Sequence, residues 1–307
     1  MSAIPIRIGT RGSALAVTQA ESVAAAFRAL YPERPITTFQ ITTRGDQERD
    51  TPLPEVGGKG LFTGEIEAAL REGVIDLAVH SLKDLPTLMP PEVIIAAVPR
   101  RASPYDCLIS RTGQPLANLP LGATLGTSSP RRAAQLLSLR PDLRIISIRG
   151  NVPTRIEKLR AEGSPYDGIL LAVAGLERLG EGVQITEILP PPLMLPAPGQ
   201  GALAIQCRSK DRLIEGLLRP LNDAETRMAV EAERAFLQTL EAGCSLPVAA
   251  LARVEGAALH LIGRVLRRDG TESITVRGDA PQTIPPHLLG ERLAEDALKQ
   301  GARGLLA

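Results

Sequence analysis

The stretch 124-TLGTSSPRRAAQLLSLRPDLRIISIRGNVPTRIEKLRAEGSPYDGILLAV-173 alternates two kinds of pattern. Apolar runs at Thr124–Gly126, Arg144–Ile148 and Gly168–Val173 read as strands. Between them, Pro130–Leu139 and Val152–Ala161 carry helical spacing. Each helix has a start signal. Ser128 or Ser129 precedes Pro130, and Asn151 precedes Val152-Pro153. Strand–helix–strand alternation at this period predicts an α/β fold.

The same alternation continues outward. Upstream, Ile4–Ile8, Ile36–Thr42, Val74–Val79 and Val93–Val98 read as strands, and Ala14–Leu30 and Leu61–Arg71 as helices. The polar segment 43-TRGDQERDTPLPEVGGKG-60 has no periodicity and reads as a long loop. Downstream, 190-PPPLMLPAPGQG-201 is a hinge candidate. Leu203–Cys207 is one more strand, returning to the first unit. Asn222–Leu240 is a long amphipathic helix, followed by short strands and a final helix near Leu288–Gln300. No fixed-period repeat is visible.

Composition narrows the function classes. The chain has 307 residues, 44% hydrophobic and 22% charged, enough for two or three domains. The N-terminal MSAIPIRIGTRGS lacks a secretory pattern, and no window approaches ~18 uninterrupted apolar residues. Cys107, Cys207 and Cys244 have no metal spacing, and His80, His260 and His287 are scattered. A reducing, cytoplasmic setting without disulfides or bound metal is expected. Net charge is only +1, but its distribution is uneven. Between Leu121 and Arg160, eight basic residues stand against Asp142 and Glu157 alone. That segment predicts an anionic partner. Seven aromatic residues in all, none of them tryptophan, give little platform for nucleic-acid bases. A small polyanion fits better.

In open α/β sheets, ligands sit beyond the carboxyl ends of strands. At 8-IGTRGSALA-16, Ser13 caps a helix beside Arg11, an anion site or a plain capped turn. At 126-GTSSPRRAAQ-135, Arg131 and Arg132 lie in a helix's first turn, where cations oppose the macrodipole. Their presence suggests an anion nearby, although a solvated pair is the alternative. Arg149 and Arg155 follow at 148-IRGNVPTRIEK-158, and Lys59 lies in the glycine-rich 57-GGKGLF-62, which lacks Walker spacing. At 79-VHSLKDLPT-87, Ser81, Lys83 and Asp84 end a strand, and this junction alone has a carboxylate at its centre. Surrounding positive charge favours the ionised form of Asp84. Cys107 and Cys207 lie in apolar strands and read as structural thiols. Cys244, in 241-EAGCSLPVAA-250, is either a buried thiol or a covalent anchor.

The ordered series IGTRGSALA, TRGD, GGKGLF, VHSLKDLPT, GTSSPRR, RGNVPTR, YDGILLAVAGLERLG, LPAPGQGALAIQCR and AGCSLPV resembles the porphobilinogen deaminases, or hydroxymethylbilane synthases. The resemblance runs from about Ile6 to about Leu251 and is weaker beyond. It implies three α/β domains: 1–99 plus 197–220, 100–196, and 221–307. The first two are implied to form a two-lobed fold like that of type II periplasmic binding proteins, with a cleft between them. The implied reaction joins four porphobilinogen molecules head to tail with loss of ammonia, and hydrolysis releases a linear hydroxymethylbilane. The implied cofactor is a dipyrromethane, held by a thioether to the cysteine of the G-C-S loop, which is Cys244 in this chain.

By the same resemblance, Asp84 is the catalytic carboxylate. Arg11, Ser13, Lys59, Ser81, Lys83, Thr127, Ser128, Ser129, Arg131, Arg132, Arg149, Gly150, Arg155, Arg178 and Gln200 hold cofactor or substrate. Each porphobilinogen brings two carboxylates, so arginines from several junctions suit the growing chain. The 43–60 loop is implied to cover the site. Two departures stand out: the cofactor loop reads A-G-C where a second glycine is common, and 99-PRRASPYDC-107 is unusually basic. Ala242 fits unless its position needs a positive φ. The expected partners are porphobilinogen alone, with no nucleic acid and no membrane, acting on a monomer. The rival reading is a non-catalytic two-lobed binding protein for a dicarboxylate or oxyanion. A nucleic-acid-binding reading would predict steep salt dependence.

Overall fold

The computed structural model describes residues 5–47, 63–243 and 246–306. The chain begins β1 (Ile6–Thr10), α1 (Ala14–Leu30), β2 (Ile36–Gln40), α2 (Arg44–Gln47), α3 (Gly64–Arg71), β3 (Leu77–Ser81) and β4 (Val93–Ala97). It continues β5 (Asp106–Ser110), β6 (Thr124–Gly126), α4 (Pro130–Leu139), β7 (Arg144–Ile146), α5 (Val152–Arg160), β8 (Gly168–Ala172), α6 (Val173–Arg178) and β9 (Glu187–Leu189). It ends β10 (Leu203–Arg208), α7 (Arg212–Leu218), α8 (Ala224–Thr239), β11 (Val248–Glu255), β12 (Ala258–Leu266), β13 (Ser273–Pro281), α9 (Pro286–Lys299) and α10 (Ala302–Leu306).

These elements gather into two compact units, Met1–Arg101 with Ala202–Arg227, and Ala102–Gly201 with Met228–Ala307. The first holds a five-stranded sheet in the order β2-β1-β3-β10-β4. β1, β2 and β3 are parallel, and β10 runs against β3 and β4. The second holds a five-stranded sheet in the order β7-β6-β8-β5-β9, with β5 as the reversed strand. The two sheets therefore share one topology. Unequal connection lengths hide this repeat from a fixed-period search of the sequence.

Register makes the correspondence residue by residue. Gly9 pairs with Ala78 in the first sheet, as Gly126 pairs with Ile169 in the second. Leu203 faces Ser81 at the end of β3, as Asp106 faces Ala172 at the end of β8. Strand interiors are apolar because helices cover both faces of such sheets. Ile6, Ile8, Leu77, Val79 and Ile205 pack with Phe27 of α1 on one face of the first sheet. Ile66 and Leu70 of α3 pack with Ile75 and Ala78 on the other.

The strand expected at 74–79 instead runs from Leu77 to Ser81. Val74 is exposed, and the Asp76 carboxylate pairs with Arg7 and Arg208. His80 and Ser81 thus belong to the strand. The expected short strands after residue 247 are eight or nine residues long and form an antiparallel meander, β11-β12-β13. Its apolar face packs on Phe236 of α8 and on Leu289 and Leu293 of α9. Gly263 lets β12 pass the Phe236 ring, where a Cβ would come within 2.3 Å.

Candidate functional site

The strand-to-helix junctions hold their residues by caps that the sequence announces. The Ser13 Oγ accepts from Ala16 N at 3.3 Å, and Ser129 Oγ accepts from Arg132 N at 3.4 Å. Asn151 Oδ1 accepts from Thr154 N at 2.9 Å. Thr127 is buried and accepts from Ser129 N, while Ser128 Oγ donates to Ile148 O at 2.7 Å. Arg155 Nε donates to Gly150 O at 2.8 Å. Gly150 has φ 118°, and a Cβ there would meet Thr154 at 2.8 Å, so the turn before α5 requires glycine. Arg11 and Arg149 are half-buried in the same kind of junction.

In the first unit, β3 runs into a single 3₁₀ turn, Leu82–Asp84. Leu82 and Leu85 are buried and clamp the turn, and Leu82 N donates to Ala202 O at 3.0 Å. Lys83 is half-buried and Asp84 is exposed at the turn's end. Ser81 Oγ accepts from the buried Gln19 Nε2 at 2.9 Å. Beneath the turn lie three buried polar side chains that the sequence reading passes over: Glu67, His80 and Gln206. Gln206 Nε2 donates to Glu67 Oε1 at 3.1 Å. Burial lowers the His80 pKa to about 4, the neighbouring Gln206 amide opposes this, and the Arg11 charge adds to it. His80 is therefore a neutral ring.

In the second unit, Arg131 and Arg132 are 4% and 6% exposed, and their shared partner is Asp106, 0% exposed. Arg131 Nη1 donates to Asp106 Oδ2 at 2.6 Å and to Leu195 O at 2.7 Å. Its Nη2 reaches Oδ1 at 3.2 Å. Arg132 Nε donates to Asp106 Oδ1 at 2.8 Å, and its Nη1 to Leu170 O at 2.9 Å. Gln200 Nε2 completes the cluster, donating to Asp106 Oδ1 at 3.0 Å and to Pro104 O at 2.7 Å. Burial alone would raise the Asp106 pKa. The charges of Arg131 and Arg132, with hydrogen bonds from Arg131 and Gln200, hold it well below the usual carboxylate range. An anion thus does sit beside the two arginines, and the chain itself supplies it. Its sequence signal was a lone charge inside the apolar run 105-YDCLIS-110. The adjacent Cys107 thiol is buried and pushed up to about 12, which makes it inert.

Gly201 next to Gln200 has φ 86°, and a Cβ would lie 2.6 Å from Ala102 O and Ser103 O. Arg178, the last residue of α6, is partly buried and donates to Gly201 O at 2.8 Å. Burial lowers its pKa, opposed by Glu177.

Cys244 and Lys59 lie outside the described residues, as does most of the 43–60 loop. The flanks of Cys244 are described. α8 ends with Glu241 N donating to Gln238 O at 2.9 Å and Ala242 N to Leu237 O at 3.2 Å. This is a Schellman end, with Glu241 in the left-handed position at φ 53°. Ala242 is buried with ordinary φ, so alanine costs nothing there. Leu246 N donates to Gly243 O at 3.1 Å across the two intervening residues. Glu233, buried on α8 and also overlooked in the sequence, accepts from Gly199 N at 2.6 Å and from Ala252 N at 2.8 Å. It ties the PAPGQG segment to β11. Residues 229, 233, 236 and 240 share a helix face, and that spacing was its available signal.

Among the described residues there is no cluster of three metal-ligating side chains, and no helix is long and apolar enough to cross a membrane. The donor set instead suits a carboxylate-rich organic group, through guanidiniums at several strand ends.

Comparison with known proteins bears on that chemistry. Residues 6–216 match the family described as "Porphobilinogen deaminase, dipyromethane cofactor binding domain". Residues 227–299 match "Porphobilinogen deaminase, C-terminal domain". The chain is similar to the porphobilinogen deaminase of Roseiflexus sp. (strain RS-1), 50% identical over 301 residues that cover 98% of each chain. It is 48% identical to that of Syntrophotalea carbinolica over 307 residues, covering 100% of this chain and 96% of the relative.

Proposed function

The chain belongs to the porphobilinogen deaminase family, and we propose from that premise how its residues share the work. The enzyme joins four porphobilinogen molecules head to tail with loss of ammonia, on a covalent dipyrromethane primer, and releases linear hydroxymethylbilane. It serves tetrapyrrole biosynthesis. Three domains, with the boundaries expected from the sequence, a monomeric state and a cytoplasmic setting are our reading. Family membership and the amino-acid sequence support them.

A dipyrromethane tethered to Cys244 would supply an electron-rich pyrrole carbon as the acceptor for the first unit, and each unit added would present the next. Everything else is done by side chains. Asp84 provides a carboxylate on a turn clamped by Leu82 and Leu85. Held against a pyrrole N–H, it stabilises positive charge where the ring develops it and takes or returns a proton. Lys83, next to it, is a cation for a substrate carboxylate. Arg11, Ser13 and Ser81 lie at neighbouring strand ends of the same unit and serve the same anionic groups. In the second unit, Thr127, Ser128, Ser129, Arg131, Arg132, Arg149, Gly150, Arg155 and Arg178 form the basic counterpart, with Gln200 bracing it. Lys59 contributes from the glycine-rich segment. The observation that carries this reading is the exposed aspartate that the first unit presents at the end of β3, on a turn fixed by Leu82 and Leu85.

A solute-binding protein would need the guanidiniums but no aspartate. Asp84→Asn separates the two readings. It should keep the covalent cofactor and bind porphobilinogen, yet release ammonia at least about 100-fold more slowly, the size of lost acid–base and electrostatic assistance. Ammonia release near the wild-type rate would remove Asp84 from the reaction.

A further inference from the structure

Two guanidiniums and one carboxylate make up the charges of the buried cluster in the second unit. Their sum is +1. An isolated buried charge is costly unless an opposite charge joins it. Arg131 donates to both oxygens of Asp106 and Arg132 to Oδ1, so Asp106 fixes their planes relative to each other. Leu195 O and Leu170 O hold the outer nitrogens. Each guanidinium has five N–H groups, and Arg131 Nε has no acceptor among the described residues. The array is therefore rigid, underneutralised by one charge, and still able to donate.

We propose that Asp106 is a positioning residue that neutralises one of the two arginine charges and leaves the pair preset for a single further carboxylate. That carboxylate belongs to the pyrrole chain, so the inference rests on the binding role given above to Arg131 and Arg132. The first sheet supports the assignment by contrast. At the register position equivalent to Asp106 it has Leu203, and the junction after its first strand has no such paired arginines. Gln200 matters for the same reason. Its amide adds a hydrogen bond without adding charge, so the imbalance survives.

Two variants of the full-length enzyme test this. Gln200→Glu is close in shape; it brings a second carboxylate that cancels the residual charge, at the cost of the amide donor to Asp106 and Pro104 O. Asp106→Asn keeps the shape but frees both guanidiniums from their ionic partner. The readouts are intact mass, for covalent cofactor, steady-state kinetics with porphobilinogen, and thermal melting. Gln200→Glu gives up the donor that meets Asp106 Oδ1 and Pro104 O, so it should fold with a lowered melting temperature. It should also lose cofactor occupancy or raise KM about tenfold or more, with kcat changed less, as expected when one charge-assisted contact is lost. Asp106→Asn should show the same KM effect together with a lower melting temperature. If Asp106→Asn does not fold, Gln200→Glu decides alone. Full occupancy and wild-type KM in Gln200→Glu would overturn the proposal and leave the cluster a purely structural clamp. Absence of any adduct in the wild-type protein would instead sink the reading on which it rests.

Discussion

The two five-stranded sheets have one topology and different charges at matched strand ends. In the first, the third strand ends in a 3₁₀ turn with an exposed aspartate, Asp84. In the second, the third strand runs into α6, and the residue equivalent to Asp84 by register is Gly175. The first sheet buries His80 and Gln206 beside the Glu67 carboxylate, and its Asp76 pairs with Arg7 and Arg208, which stay partly exposed. The second buries full charges, Asp106 with Arg131 and Arg132. On the proposed function, the same scaffold serves once to present a working carboxylate and once to hold carboxylates. Topology decides where a strand end points, and a few buried residues decide which charge it presents.

The contrast can be broken most severely at its matched register position. Leu203→Asp places in the first sheet the carboxylate that the second sheet carries, but without the buried arginine pair that meets it there. Leu203 is buried in an apolar cluster. The variant should lose at least about 3 kcal/mol of stability, the cost of an unpaired buried charge. Urea unfolding at neutral pH measures it. A loss under about 1 kcal/mol would mean that the register correspondence does not govern charge at this site.

Acid should separate the units next. His80 stays neutral in the fold down to about pH 4, whereas an ordinary histidine takes its proton near 6.5. Above 6.5 neither state is protonated, and the group adds no pH dependence. As pH falls from 6.5 toward 4, only the unfolded chain gains the proton, so stability declines, by about 3 kcal/mol in all. Asp106 begins to add to the decline only below about pH 5, where the unfolded carboxyl takes up a proton that the native one, held ionised by Arg131 and Arg132, does not. His80→Gln should therefore flatten the stability–pH curve between 6.5 and 4.5. An unchanged slope would show that His80 is protonated or exposed in the native state.

Much of this architecture was legible in the sequence, because periodicity and caps are local. α1 and α4 fall where spacing and Ser13 and Ser129 put them. The aspartate of the catalytic candidate and the arginine junctions could be read from strand ends. What escaped depends on residues far apart in the chain. Asp106 lies 25 residues from Arg131 and 94 from Gln200. Glu233 joins Gly199 and Ala252 across similar gaps. A charge inside an apolar run gives a location but no partner. The repeat was hidden because topology repeats while loop lengths do not.

The smallest effect concerns backbone strain. Among the described residues, Glu241 is the one non-glycine with positive φ, and neither sheet contains another. It ends α8 just before the cysteine segment. Glu241→Gly should stabilise the protein by about 0.5–1 kcal/mol, because glycine adopts this conformation without a Cβ penalty. A rise in thermal midpoint with unchanged cofactor content would confine the strain to the helix end. A drop would mean that the Glu241 side chain has a role beyond the backbone.

The proposed reaction requires a pyrrole pair bonded to the sulfur of residue 244. Intact mass of the purified protein, beside its Cys244→Ser variant, tests this most directly. The wild-type chain should exceed its sequence mass by two pyrrole units, and the variant should match its own sequence with no activity. An active wild-type protein at bare sequence mass, or a variant that keeps the excess, would contradict it.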